Sequence, residues 1–234
     1  MDWTNKIAWI IRILAPLVGL AILAQTLSKL PRSPPPNVPA LPEGFRLRGL
    51  ALELVSSEPD LVTIKERYRS DKADIRQEIN LDFAVAIPAY LILFVLIGCW
   101  MVFRWDSAIA VIVGATLVLF ITLAACFDIR ENFGILAALA PHDASVVDVI
   151  RHASLVKWFL LCVSLLITSL PLVLSKNAPI ALVGLIHVSA AVIGIAGLAG
   201  PRRLVQFMFM LMGLGLSLTG EAIYYLTKVG PGSR

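Results

Sequence analysis

The stretch LDFAVAIPAYLILFVLIGCWMVFRWDSAIAVIVGATLVLFITLAACFDIREN, Leu81 to Asn132, decides the fold. It holds two apolar runs, Leu81–Phe103 and Ser107–Phe127, on either side of the short turn Arg104-Trp105-Asp106. Crossing a hydrocarbon core of about 30 Å takes roughly 20 helical residues, so each run is long enough to span a bilayer. In lipid the backbone must bond within its own segment, so the runs form helices, and the tight turn makes them an antiparallel hairpin. Residues equally far from such a turn lie at roughly equal depth. Asp82 and Asp128 each lie 23 residues from Trp105, which predicts two carboxylates at one level, facing each other across the hairpin.

Four more runs of that kind extend the pattern in both directions: Ile7–Leu27, Ser154–Leu174, Ala178–Ala199 and Leu204–Leu226. The fold class is therefore all-α, a polytopic membrane bundle of six transmembrane helices. Composition agrees: of 234 residues, 58% are hydrophobic and 15% charged, and the mean hydropathy is +0.84, outside the balance of a soluble domain. The formal charge of +4, from 20 Lys and Arg against 16 Asp and Glu spread along the chain, excludes a nucleic-acid binder built on a basic patch. The expected surroundings are a lipid bilayer, with a protein partner or a second copy as the other candidate contact.

Residues 1–28 form the first span, which reads as a signal anchor because Asp2 and Lys6 make a poor basic leader and Arg12 interrupts the apolar run. Residues 29–80 form a short helical extramembrane cap between spans one and two, and residues 81–234 a five-helix bundle. The cap opens with KLPRSPPPNVPALP, Lys29 to Pro42, too rich in proline for helix or central strand and expected to be extended. Leu47, Leu50, Ala51, Leu54 and Val55 then recur at i, i+3, i+4, i+7 and i+8, with Glu53 off the stripe. This predicts a helix over 44–56 lying at the membrane interface, its stripe toward lipid or toward the bundle. Ser57-Glu-Pro-Asp60 supplies a capping hydroxyl, a first-turn proline and an acid, so a charged helix begins near Glu58. A second cap, Ser145-Val-Val-Asp148, starts the helix of span four, which brings Arg151, Lys157 and Trp158 to the interface.

With the N-terminal side named A and the opposite side B, six basic residues fall on A and fourteen on B. That count makes B cytoplasmic by the positive-inside rule, while an even number of spans with both termini inside makes it A. The sequence leaves the orientation open.

On side B, Asp128, Glu131 and Asn132 at i, i+3 and i+4 share one helix face. With Asp82 they form the strongest polar cluster in the chain, and Tyr90, just after Pro88, extends it inward, since a proline in a membrane helix frees a carbonyl that needs a partner. Three readings compete for Asp82, Tyr90, Asp128, Glu131 and Asn132. The first is a polar helix end, its acids neutralised by Arg130 and by Arg67, Arg69, Lys72 or Arg76. The second is a site for a hard cation such as Ca²⁺ or Mg²⁺. The third is proton or substrate chemistry. The first is the expectation carried forward.

The elements Leu52-Glu53-Leu54 ahead of Ser57-Glu58-Pro59, then Leu81-Asp82-Phe83 with Pro88-Ala89-Tyr90, then Phe127-Asp128-Ile129-Arg130-Glu131-Asn132 resemble a family of uncharacterised bacterial multi-pass membrane proteins. The resemblance covers Leu47 to Leu139, with Tyr68 where that pattern has a tryptophan. It implies a shared architecture and a shared acidic site, and no activity.

His187 in span five is a lone intramembrane imidazole, and the turn at Pro201-Arg202 sets it level with Leu216–Ser217. A hydrogen bond to Ser217 is expected in preference to haem or metal ligation. Ala190, Gly194 and Gly197 in span five, and Gly213, Ser217 and Gly220 in span six, form small-residue stripes that predict close packing of these two spans. Glu221 is expected to reach the side A interface. The three cysteines have no paired spacing, and the serine-hydrolase elbow, zinc-protease and phosphate-loop motifs do not occur. No cofactor is implied. The function expected is that of a non-catalytic membrane or partner-binding component; the alternative is an intramembrane enzyme or ion-coupled carrier using the carboxylate cluster.

Overall fold

The computed structural model describes residues 2–28, 48–67, 72–105, 107–139, 146–201 and 204–229. Among these the chain forms α1 (Trp3–Ser28), α2 (Arg48–Glu53), α3 (Glu58–Arg67), α4 (Lys72–Leu81), a π-helical turn (Asp82–Ala86), α5 (Ile87–Arg104), α6 (Ala108–Ala138), α7 (Val146–Val173), α8 (Ala178–Ala199) and α9 (Leu204–Lys228). Six helices are long and apolar enough to cross a membrane: α1, the continuous helix Ile75–Arg104 that joins α4 to α5, α6, α7, α8 and α9. The proline-rich stretch, Leu47 and the Ser145 cap lie outside the described residues.

The six spans close a ring in the order α1, α9, α8, α7, α6, α5, each packing against two neighbours. On side A, Thr4 donates to the Phe103 carbonyl, Trp100 Nε1 donates to Thr227 Oγ1 (2.9 Å) and Arg104 donates to the Leu226 carbonyl (3.0 Å). These bonds put the start of α1, the α5–α6 turn and the end of α9 on one side, as six crossings require.

Close approach of backbones holds the ring together. Gly98 and Gly114 face each other across the α5–α6 hairpin, where a Cβ on either would stand 2.8 or 2.6 Å from the other's carbonyl oxygen. Gly194 and Gly197 of α8 lie against Met208 and Val205 of α9, as their stripe predicts. The stripe of α9 serves a different neighbour. Gly213 meets Gly19, Ile22 and Leu23, Ser217 meets Gly19, and Gly220 meets Ile11 and Arg12, so all three pack on α1 rather than α8. Stripe spacing shows that a helix face is smooth, but in a ring each helix has two neighbours, and the spacing does not say which of them takes that face.

The same geometry corrects the expected partner of His187. Its Nε2 lies 3.3 Å from Thr219 Oγ1, while Ser217 donates to the Gly213 carbonyl within α9. Two residues along a helix turn the direction by about 200°, so with Ser217 facing α1 it is Thr219 that faces α8. The Val183 carbonyl, 2.9 Å from Nδ1, can only accept, which places the ring proton on Nδ1. Glu221 pairs with Arg12 at 2.7 Å across the α1/α9 seam, and Arg12 also lies over the Tyr224 ring.

Among the described residues the predicted cap helix ends earlier, at Glu53 rather than Ser56, and is more deeply seated than its periodicity suggests. Helix α2 has six residues, and Leu50, Ala51, Leu52, Leu54 and Val55 are all buried. It packs on α3, α6 and α7, so the stripe faces the bundle. Helix α3 starts at Glu58 as predicted, with Ser57 Oγ accepting from the Asp60 amide (3.3 Å).

Candidate functional site: a buried lysine with three carboxylates

Pro88 shapes the approach to the site. It has no N–H to offer the carbonyl four residues earlier, and its ring crowds that carbonyl. The helix responds with the π-turn over Asp82–Ala86, in which the Ile87 amide bonds the Asp82 carbonyl. One added residue in a turn moves everything before it by about 100° in helical phase. Asp82 opens this turn half-buried, and the three carboxylates on Lys157 do not include it. Phe83 in the same turn lies against Phe133 of α6, with ring centroids 5.3 Å apart.

Tyr90 does reach the cluster. Helix α5 begins on side B, and side chains lean toward the N-terminus of their helix, so the phenol points back toward side B. Its hydroxyl donates to Asp128 Oδ2 at 2.9 Å. Helix α6 runs from A to B and leans its side chains toward A, whereas α7 runs from B to A and leans its side chains toward B. Acids on α6 and a cation on α7 can therefore converge from different levels.

That cation is Lys157, expected at the interface but only 3% exposed, and it is the centre of the site. Its ammonium donates to Glu131 Oε1 (2.7 Å), Glu53 Oε2 (3.0 Å) and Asp128 Oδ1 (3.1 Å). An ammonium has three N–H donors, and all three are used. Each carboxylate also takes one neutral donor: Ser154 Oγ to Glu131 Oε2 (2.6 Å), Trp158 Nε1 to Glu53 Oε2 (3.0 Å) and Tyr90 to Asp128. The arrangement is regular, one lysine N–H and one neutral N–H or O–H for each acid. Lys157 lies 4.6 Å from the Trp158 ring centroid, and that ring meets Phe209 of α9 edge-on.

Burying an ionised group without partners costs many kcal/mol, so the shared ammonium and the three neutral donors are the condition for these carboxylates to be buried together. Of the expected neutralising residues, two can be placed, and both lie away from it. Arg130 and Arg76 are exposed and form no ion pair with these acids, and the side chains of Arg67, Arg69 and Lys72 lie outside the described residues. A hard cation would need the position the ammonium already fills, and among the described residues no group of three His, Cys, Asp or Glu has metal-binding geometry.

Of the five residues singled out by sequence, three meet here: Tyr90, Asp128 and Glu131. Asn132 is buried at 2% exposure, but its amide nitrogen has no hydrogen-bond partner among the described residues. Replacing an unsatisfied buried amide with an apolar group of similar shape is nearly neutral or stabilising. Asn132→Leu should therefore leave thermal unfolding in detergent within about 1 kcal/mol of the parent or raise it. A loss as large as that of Glu131→Leu would show that Asn132 belongs to the network.

Sequence reasoning missed Lys157, Glu53 and Ser154. Depth counting on the second hairpin would have found the first: Lys157 lies 19 residues before Lys176 in the α7–α8 turn, about 28 Å from side A at 1.5 Å per residue. By the same measure Asp128, 23 residues after Trp105, lies about 34 Å from that side, and the opposed leans of the two side chains close the difference. Glu53 stands in the Leu52-Glu53-Leu54 element of the resemblance, but no spacing ties it to Lys157, because its segment is joined to the bundle only by tertiary packing.

No family model, curated protein or solved structure matches this chain.

Proposed function

We propose that the chain is a non-catalytic component of a bacterial cytoplasmic membrane, related in architecture to the multi-pass family it resembles, in which Lys157 latches the extramembrane cap to the six-span bundle. The observation that carries this reading is the closed pairing around Lys157, with every ammonium donor and each of the three carboxylates engaged at 2.6–3.1 Å. The Lys157 ammonium has no N–H left for a substrate, and each carboxylate already accepts two hydrogen bonds from the chain itself. Glu53 comes from outside the membrane and Lys157 from inside it, so their bond ties two parts of the chain that no short covalent connection joins. The cap then offers the exposed side chains of Glu58, Val62 and Glu66 to a protein partner or a second copy on side B.

Flux through reconstituted vesicles separates this reading from its rival. The full chain in liposomes under an imposed pH or Na⁺ gradient should give the same dissipation rate as protein-free liposomes, and Asp128→Asn should not change it. Gradient dissipation that depends on the chain and is abolished by Asp128→Asn would make the cluster a transport site and overturn the latch.

A further inference from the structure

At the opposite end of the bundle, a cavity of about 550 Å³ lies between the α5–α6 turn, the α7–α8 turn and the end of α9. Its volume falls within the roughly 300–1,000 Å³ typical of small-molecule sites. Two cations line it, Arg104 and Lys176, and the described lining residues include no carboxylate. Arg104 is fixed by its bond to the Leu226 carbonyl, which also satisfies the C-terminal end of α9. Lys176 is exposed and makes no ion pair among the described residues.

The polar groups beside these cations are helix starts. Ser107 caps α6 by accepting from the Ala110 amide, and Asn177 caps α8 by accepting from the Ile180 amide, so two helix N-termini open beside the cavity. Helix starts and cations both favour negative charge. Away from this end the lining becomes apolar. Met101 and Ala110 are buried in its floor, Val113 and Pro171 form its wall, and Ile109 and Leu174, 74% and 79% exposed, border it on the lipid-facing surface.

We infer that this cavity binds an anionic phospholipid, its phosphate between Arg104 and Lys176 and one acyl chain lying on Val113 and Pro171. The pairing of a cationic, donor-rich end with an apolar wall bordered by the exposed Ile109 and Leu174 matches an amphiphile of that charge. A free anion would find no use for the apolar wall, and a zwitterionic lipid would bring its own cation to Lys176. This site shares no residue with the Lys157 latch.

The test is native mass spectrometry of the full chain released from detergent in the presence of equal amounts of phosphatidylglycerol and phosphatidylcholine with identical dioleoyl chains. Phosphatidylglycerol should be retained preferentially. Lys176→Gln should lower that preference about fivefold, the loss expected for one basic residue at a membrane surface. Val113→Trp, which fills the wall without touching either cation, should reduce retention of both lipids. Equal retention of the two lipids, an unchanged preference in Lys176→Gln, or displacement of bound phosphatidylglycerol by millimolar inorganic phosphate would each overturn the assignment, the last by showing a site for the free anion.

Discussion

Lys157→Met should lower the stability of the chain by about 3–5 kcal/mol, the cost of removing one partner from a buried ion-paired group. Methionine nearly preserves the stem, so little of the loss comes from packing. What is lost is the common partner of Glu53, Asp128 and Glu131, whose side chains are 19%, 14% and 1% exposed and which would then face one another without a cation. The loss would be read as a lower unfolding midpoint in detergent and lower accumulation in the membrane. Adding Glu131→Gln should recover part of it, because the most deeply buried of the three charges is then gone as well. A Lys157→Met chain as stable as the parent, with no gain from Glu131→Gln, would show that the cluster carries no stability.

The second large effect is expected at Gly19. A Cβ there would meet the Ser217 amide nitrogen, with the Gly213 carbonyl oxygen and Ser217 Oγ each at 2.5 Å. Two of those atoms are helix backbone and cannot move without parting α1 from α9. Overpacking of a tight core costs about 1–3 kcal/mol, and Gly19→Val should reach or exceed the upper end because its obstacles are main chain rather than flexible side chains. Val192→Leu on the lipid-facing surface, where Val192 is 56% exposed, should leave the unfolding midpoint unchanged. Equal tolerance of the two substitutions would show that α1 and α9 do not meet through Gly19.

What could be read in the sequence, and what could not, follows the range of the forces involved. Six spans are legible because lipid imposes length and apolarity on each segment separately, without reference to its neighbours. The start of α3 is legible because Ser57 and Asp60 belong to one turn. The union of Tyr90 with Asp128 is legible because a tight turn fixes the relative depth of α5 and α6. Most of the failures are questions of which neighbour a face meets. Gly213, Ser217 and Gly220 make a smooth face whose partner is α1, a helix more than 180 residues earlier in the chain. Thr219, not Ser217, turns toward His187 for the same reason. Glu53 sits on a segment whose leucines suggest an interface helix, and only the fold carries it to Lys157. Asp82 opens a π-turn that answers to Pro88, a local cause whose effect on helical phase is not written in the residue spacing.

The most direct measurement of the latch is amide hydrogen exchange over Leu50–Val55 in the parent chain and in Glu53→Gln. Glutamine keeps the size of the side chain but gives up its charge-assisted bond to Lys157, a bond of about 1.5–3 kcal/mol. The Leu54 amide, bonded to the Leu50 carbonyl at 2.9 Å, is a suitable reporter. The expected result is slow exchange in the parent and exchange faster by about tenfold or more in Glu53→Gln, with the amides of α5 to α9 still protected. Rapid exchange of this segment in the parent, or equal protection in both chains, would contradict the proposal that Lys157 holds the cap to the membrane bundle.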